Sequence, residues 1–532
     1  MQNDKNNEWK SRKAISRIVK KPVFLILSFF HIFIIAAQNG LTLDQALTTA
    51  VKNNYDIQKQ RYALAEAQAQ YRQAKGAFDF ELGAEDNYSL SQNPMDKNDP
   101  LSGWAATGNS FYLDNTTSKT AGGSVFVQKL FSFGLSSKLS YSVNRSLEIL
   151  HYTNTNLRSE TDKWRNNGSL SLELSLPLFK SFTNSLSAMQ LESANDYKEQ
   201  MRFALEDFIS KFLVDTSSLY FDYYLSYQNL QNLKKHHQIL KDRLDNMPRL
   251  ISAGVRSKND QLAIQVNLNE TNRSIKEAEA RCNQSKTKLA MAMGLSDFSE
   301  LPNPAEDLPK IDLNQNFPDS SQINEIYLNR IIQNKADFII IQKQLAIAER
   351  NLKMKKADAM PDATFDLGVG TAGTAYSNDI RDYALSGFKN MRGANVKGKL
   401  GITFKLGDNQ KNGAIELAQA QYDSILCDYN KAKSELGLKI RSVLQNLAVY
   451  KASVLEADEY LELNDSYYQN EIKRFNAGLI TTDALLEQDA RYISAKASHS
   501  QVLVQYLQAV LEYKYYTGDL VEIDADSVFK QK

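Results

Sequence analysis

Several stretches of the chain alternate between apolar and polar residues, the pattern of a β-strand with one apolar and one polar face. In 169–178 every second residue is leucine, and serines, a glutamate or a proline stand between. Stretches 139–144, 363–369 and 396–406 alternate in the same way, and 78–90 is strand-like. Such strands can cover a soluble core or face lipid in a membrane barrel with a polar lumen. The local pattern leaves both interpretations open.

Long helical stretches surround these strands. Residues 186–247 contain no proline or glycine, which predicts about 90 Å of helix at about 1.5 Å per residue. Apolar residues recur there at intervals of seven, as at Leu205, Phe212 and Leu219. The stretch 408–474 is similar, and 257–293 and 479–516 predict shorter return helices. A typical globular helix has about 8–20 residues, so these lengths predict extended helices packed on both flanks.

The chain repeats itself. The segment 53–57, Asn-Asn-Tyr-Asp-Ile, is echoed at 334–338 as Asn-Lys-Ala-Asp-Phe, and the Ala-Gly segment 252–262 is echoed at 476–486. Each half therefore has the order helix, strands, very long helix, Ala-Gly turn, long helix. We predict a first repeat over 38–300, a proline-rich linker over 301–320, a second repeat over 321–516 and a C-terminal tail over 517–532.

The N-terminus predicts export from the cytoplasm. Residues 1–21 carry seven lysines and arginines, and an apolar run from Val23 to Ile35 ends in Ala36-Ala37. This order of basic, apolar and small residues is typical of a secretory signal peptide, here 1–37. No cysteine follows the run, which excludes lipid attachment to a cysteine at the mature N-terminus.

Composition excludes several other classes. There are 63 basic and 62 acidic residues, for a net charge of +1, so the charge balance gives no indication of nucleic-acid binding. Mean hydropathy is −0.44, and no apolar stretch after the signal has the 18 or so residues that a membrane helix needs. Two cysteines, Cys282 and Cys427, are no disulfide framework.

The order of elements resembles the TolC-like outer-membrane efflux family over nearly the whole mature chain. The resemblance rests on the Leu-Thr-Leu-Asp-Gln-Ala-Leu segment at 41–47 before Asn53-Asn54, on Ser-Leu-Pro-Leu-Phe at 175–179 before a long helix, and on the two Ala-Gly turns. It implies a mixed, mostly helical chain in a homotrimer. About four strands per subunit would form an outer-membrane β-barrel, continued by a long periplasmic α-helical barrel. Nearly 80 residues between the first strand and the strand at 169–178 depart from that pattern, and these would extend the barrel strands or form an external hairpin.

The resemblance implies an outer-membrane channel subunit of a tripartite efflux or type I secretion system. It would be a passive conduit that binds a periplasmic adaptor and an inner-membrane transporter. The two turns would be the adaptor-docking tips, formed by Gly254, Val255, Gly478, Leu479 and Ile480. Asp483 and Glu487, one helical turn apart, would form a pore constriction, although acids in a first helical turn also suit the helix dipole. The alternative is a periplasmic coiled-coil scaffold or adaptor without a pore.

No pattern predicts an enzyme, a cofactor or a metal site. Gly368 to Gly373 spell GxGxxG after a strand, but a polar segment follows instead of the helix that a dinucleotide needs. We therefore interpret this stretch as a glycine-rich barrel loop. His236 and His237 are adjacent, without the i, i+4 spacing of helical metal ligands. The cargo cannot be deduced from the sequence.

Overall fold

The fold is taken from a computed structural model, which describes residues 40–96, 98–99, 112–153, 158–160, 163–179, 186–306, 308, 313, 315–389 and 393–520. The predicted signal peptide at 1–37 lies outside these residues, as does the predicted tail from 521 onward.

The long helices lie where the hydrophobic pattern predicts them. The described helices are α1 (Leu43–Asn53), α2 (Tyr55–Gly76), α3 (Leu186–Ser252), α4 (Lys258–Ala292), α5 (Glu325–Asn334), α6 (Ala336–Ala359), α7 (Ile380–Lys389), α8 (Asn409–Asn476) and α9 (Thr482–Thr517), with short 3₁₀ turns at Phe298–Glu300 and Ser320–Gln322. Within the described residues, no helix is both long and apolar enough to cross a membrane.

The strands form one antiparallel sheet. They are β1 (Phe80–Pro94), β2 (Leu113–Leu130), β3 (Ser136–Tyr152), β4 (Arg158–Glu160), β5 (Arg165–Pro177), β6 (Asp362–Tyr376) and β7 (Gly393–Thr403). The order across the sheet is β1-β2-β3-β5-β6-β7, and the short β4 pairs only with β3. Gly368 to Gly373 lie inside β6, so their interpretation as a loop is wrong.

Among the described residues the sheet has six long strands, more than the four or so per subunit that the resemblance implies. The additional pair is the hairpin of β2 and β3 (113–152), which lies between β1 and β5 and accounts for about half of the long insertion. Its first strand pairs with β1 from Phe80↔Lys129 to Pro94↔Asn115. Sequence missed its extent because Lys119 and Gly123 interrupt the apolar side of β2, whereas backbone pairing requires no particular side chain.

Two compact units divide the described chain, and each draws on both halves of the sequence. One combines 63–202 with 340–429 and contains the sheet. The other combines the described residues of 40–62, 203–339 and 430–520.

The helical unit has an aromatic core. Tyr220, Phe221 and Tyr506 are almost fully buried. The Tyr220 hydroxyl donates to the carbonyl of Leu41 at 2.9 Å, and the Tyr223 hydroxyl donates to that of Pro302 at 3.3 Å. These bonds hold Leu41 and Pro302 against α3. They also supply the partners that buried hydroxyls require.

Equivalent helix breaks occur at the spacing of the sequence repeat. Asn54 separates α1 from α2, and its side chain accepts from the amide of Asp56 at 2.8 Å. Lys335 separates α5 from α6 and has the same extended backbone, with φ −79° and ψ 125° against −63° and 129° at Asn54. Asparagine caps a helix well because its side-chain oxygen can replace a backbone acceptor.

Candidate transport surfaces

The strand register collects the apolar residues of all six long strands on one face of the sheet. Directly paired residues of an antiparallel sheet point to the same side. One row across the sheet therefore contains an apolar side chain from every strand: Leu82, Val127, Leu139, Leu172, Val369 and Val396. The face extends through the rows on either side, with Leu170 and Tyr141 in one direction and Leu174 and Leu367 in the other.

The opposite face is mostly polar. The adjacent row contains Glu81, Gln128, Lys138, Glu173, Gly368 and Lys397. Serine hydroxyls bond across it, Ser140 to Ser171 at 2.8 Å and Ser142 to Ser169 at 2.7 Å. Phe126 is an exception, and the Lys138 ammonium lies 4.1 Å from the centre of its ring. This face can line an aqueous space, and the apolar face can contact hydrocarbon.

Exposed phenylalanines mark the end of the sheet at which the strands join the long helices. Phe80, Phe179 and Phe404 are each more than half exposed there. Phe131 and Phe133 stack in the turn between β2 and β3 at the same end. Aromatic girdles of this kind flank the apolar band of membrane barrels.

In the helical unit, both Ala-Gly turns adopt the same backbone conformation. Gly254 has φ +72° and Gly478 has φ +76°. After α3 the Val255 amide donates to the carbonyl of Leu250 at 3.0 Å, and after α8 the Leu479 amide donates to that of Arg474 at 2.9 Å. These bonds and the positive φ define the Schellman motif, which glycine adopts without a Cβ clash.

The next helix begins at the same distance after each turn. Ser257 caps α4 and Thr481 caps α9, each three residues after its glycine. Val255 and Leu479 are 44 % and 69 % exposed, and Ile480 lies next to them. The five predicted docking residues therefore lie at two turns that share the same backbone conformation and the same spacing to the next helix.

Arg256 ties the two turns together. Its guanidinium donates to the carbonyls of Ile480 and Phe475, each at 2.8 Å. It also lies 4.0 Å from the centre of the Phe475 ring. A second bond runs from the buried hydroxyl of Thr482 to Asp260, and this bond, followed by one from Ser257, lowers the pKa of that carboxyl. The two turns thus form a single surface within this unit.

Asp483 and Glu487 lie on the exposed side of α9. Glu487 accepts from Arg491 at 2.6 Å, and both side chains are more than 60 % exposed. The buried acid of this helix is instead Asp489, which receives two bonds from the Arg243 guanidinium, one of them at 3.0 Å.

Tyr468 lies beside this ion pair and receives a bond from Arg243 at 3.3 Å. Burial, and secondly the charge of Asp489, raise the pKa of Tyr468 to about 12. The hydroxyl therefore remains neutral near pH 7 and can accept the arginine bond.

Sequence reasoning missed Arg256, Arg243 and Asp489. Their partners stand more than 200 positions away in the chain, so no local spacing could have revealed them. The one available signal was weak: Arg256 directly follows the first turn, where the second turn has Ile480. Among the described residues, no cluster of three or more His, Cys, Asp or Glu side chains could hold a metal ion.

Comparison with known proteins places these surfaces in context. Residues 327–518 match the family model described as outer membrane efflux protein. No curated protein sequence matches the chain significantly.

Solved structures share the fold. The outer-membrane channel OprN is 14 % identical with a TM-score of 0.60, covering 92 % of this chain and 94 % of its own. The CmeC outer membrane channel of Campylobacter jejuni is also 14 % identical with a TM-score of 0.60, covering 91 % and 87 %. The MtrE outer membrane channel of Neisseria gonorrhoeae, solved in an open state, is 12 % identical with a TM-score of 0.58, covering 91 % and 90 %.

At these identities the structures show a common fold, and the family match over 327–518 supplies the link in sequence. The resemblance of the chain to the TolC-like outer-membrane efflux proteins is thereby confirmed, in sequence over residues 327–518 and in fold over most of the chain.

Proposed function

We propose that three copies of this chain form a passive export conduit in the outer membrane, as the channel subunit of a tripartite efflux or type I secretion system. The observation that carries the proposal is the two-faced sheet, whose six strands present a row of apolar residues on one side and polar residues on the other. The apolar face contacts lipid and the polar face lines the lumen.

The edges of the sheet support closure by other copies. In the described part of the chain, β1 and β7 end the sheet and pair on one side only. Because all neighbouring strands are antiparallel and the number of long strands is even, β1 and β7 run in opposite directions. An antiparallel bond between β1 of one copy and β7 of the next is therefore possible. Closure removes unpaired backbone groups, which cannot face lipid.

The strand count sets the width of the barrel. Six long strands from each of three copies give a barrel of 18 strands. Four strands from each copy would give a barrel of 12 strands. Barrel diameter grows roughly linearly with strand number, and barrels of about 16–18 strands enclose an aqueous channel. The lumen is then about one and a half times as wide as that of the expected barrel.

The helical unit provides the proposed contact with a periplasmic adaptor, which in turn binds an inner-membrane transporter. The two joined turns favour this contact. The exposed Val255 and Leu479 form an apolar patch there, and the bond from Arg256 to the carbonyl of Ile480 holds the two turns together. Asp483 and Glu487 are exposed on the helix that follows the second turn, where three copies of each would form acidic rings in the conduit.

Disulfide scanning tests whether β1 of one copy pairs with β7 of the next and so closes the barrel. In a Cys427→Ser background, Ala84→Cys on β1 is combined with single cysteines at successive positions of β7. Mild oxidation of outer membranes should give covalent dimers and trimers at one register. Matched cysteines on β3 and β5, which pair within the chain, should give only monomers. A soluble periplasmic monomer, or the absence of inter-chain bonds at every register, would refute the proposal.

A further inference from the structure

The connection between β6 and β7 contains a ten-residue helix, α7, which packs on the apolar face of the sheet. The hydroxyl of Tyr141 donates to the carbonyl of Ala384 at 2.8 Å. The rings of Tyr141 and Phe388 stack with centres 4.7 Å apart. Tyr141 pairs with Val125 and Leu170, so α7 lies on the same side as the apolar rows and not on the polar side.

Small residues on the sheet form a seat for this helix. Gly123, Val143, Gly168 and Gly373 form one row across β2, β3, β5 and β6 on the apolar face. A Cβ at Gly123 would already lie 4.0 Å from the Tyr383 hydroxyl. Three glycines in one row leave no large side chains there, so a helix can approach the backbone closely.

Polar groups lie immediately beyond the glycine row and are covered by the same connection. The Arg145 guanidinium lies 4.4 Å from the Trp164 ring centre and 5.6 Å from that of Tyr383. Asn166 is fully buried and donates to the carbonyl of Ser377 at 2.9 Å. The helix therefore sits where the large apolar side chains give way to polar ones, at the strand ends away from the long helices.

Aromatic side chains mark this level as well. Tyr88 pairs with Ala121 in the row of Arg145 and is 68 % exposed. Together with Trp164 and Tyr383 it forms a counterpart to the phenylalanines at the other end of the strands. Tryptophan and tyrosine are enriched where a bilayer meets water, because their rings are partly apolar and partly polar.

The surface of α7 also carries exposed apolar side chains. Ile380, Leu385 and Phe388 are 69 %, 47 % and 54 % exposed, whereas Ser386 is buried. This surface is continuous with the apolar rows of the sheet. The helix packs over the inner strands β3, β5 and β6, whereas other copies would bind at the edge strands β1 and β7, so a neighbouring copy is a poor candidate to cover it.

We propose that α7 is an interfacial helix on the outside of the barrel. It contacts membrane lipid at the level where acyl chains meet headgroups in the outer leaflet, and so fixes the depth of the barrel. Amphipathic helices bind at this level when an apolar surface enters the acyl boundary. The inference rests on the proposed function, in which the apolar face of the sheet is the lipid face.

Depth-dependent fluorescence quenching tests the proposal. The full chain, in a Cys427→Ser background, carries a single cysteine with an environment-sensitive dye and is reconstituted in phosphatidylcholine vesicles. The test site is Leu385→Cys. Leu172→Cys, in the apolar row, and Ser171→Cys, its neighbour on the polar face, are the controls. The quenchers are lipids with a nitroxide near the headgroup, lipids with a nitroxide near the chain end, and aqueous iodide.

At Leu385 we expect stronger quenching by the headgroup-proximal nitroxide than by the deep one, and at Leu172 the reverse. Ser171 should respond to iodide only. If Leu385 responds to iodide alone while Leu172 responds to lipid, α7 lies in water, and the inference is overturned while the proposed function stands. If Leu172 responds to iodide and Ser171 to lipid, the faces are reversed and the proposed function itself fails.

Discussion

The sheet and the helical unit place similar side chains in opposite surroundings. In the sheet, Leu82 and Val396 are 78 % and 72 % exposed, although both belong to one continuous apolar row. In the helical unit, Tyr220 and Phe221 are 1 % and 0 % exposed. A contiguous exposed apolar patch of this extent marks an interaction surface, whereas a buried core requires no further partner.

The difference shows what each region needs in order to be stable. The helical unit has a buried aromatic core and a buried ion pair of its own, as Tyr220 and the pair of Arg243 and Asp489 illustrate. In the proposed function, the sheet depends on lipid to cover its apolar face and on other copies to pair its edges. Mutations in the helical unit should therefore act on the chain itself, and mutations on the sheet should act on membrane assembly.

The largest loss of stability is expected when the buried carboxylate of the helical unit is neutralised. Asp489→Asn leaves the largely buried Arg243 without its ionic partner, which costs about 3–5 kcal/mol for a buried pair. Urea unfolding of the detergent-solubilised protein, followed by its helical circular dichroism, measures the loss. Glu487→Gln is the matched control on the same helix, since its pair with Arg491 is exposed and should contribute less than about 1 kcal/mol. Equal effects would show that Asp489 is not the stronger contact.

A charge on the apolar face of the sheet should have the next largest effect. Leu172→Arg places a guanidinium against hydrocarbon, at a cost of about 2–4 kcal/mol near the bilayer midplane. Ser171→Arg, one residue away on the polar face, should assemble normally and alter only conduction. Folding into lipid vesicles, read from protease protection, compares the two variants. The same assembly defect in both would mean that the strands cover a soluble core.

The two turns allow a smaller and more local test. Gly254 and Gly478 both have positive φ, which costs other residues about 1–2 kcal/mol. A Cβ at Gly478 would also lie 3.2 Å from Val255, whereas one at Gly254 meets nothing within 4 Å. We expect Gly254→Asp and Gly478→Asp to leave trimers in the membrane but to abolish export, with the greater loss of stability at Gly478. Export assays beside trimer quantification check this. Normal export by both variants would argue against docking at the turns.

The smallest structural effect is expected from the exposed acids. Asp483→Asn combined with Glu487→Gln should change stability by less than about 1 kcal/mol, because both side chains are solvated. If three copies form acidic rings, the double variant should lose cation selectivity and be blocked less by trivalent cations. Planar-bilayer recordings decide this. Unchanged selectivity and block would show that the acids only begin a helix.

The sequence by itself determined the long helices, the helix-reversing turns and the sidedness of the regularly alternating strands. Helix lengths followed from long stretches with few helix breakers, so α3 and α8 begin and end within a few residues of the predicted limits. The apolar face of β5 followed from strict alternation, since the side-chain period of a strand is two. Both Ala-Gly turns were found because a positive φ strongly favours one residue type.

Only the tertiary structure decided how these elements combine. The β2–β3 hairpin entered the sheet through backbone hydrogen bonds, and the sequence hides its full extent because Lys119 and Gly123 stand on the apolar side of β2. The seat of α7 depends on three glycines from different strands meeting in one row. Arg243 with Asp489, and Arg256 with the carbonyl of Ile480, join residues more than 200 positions apart. Such contacts arise from the packing of distant segments, and no periodicity within either segment encodes them.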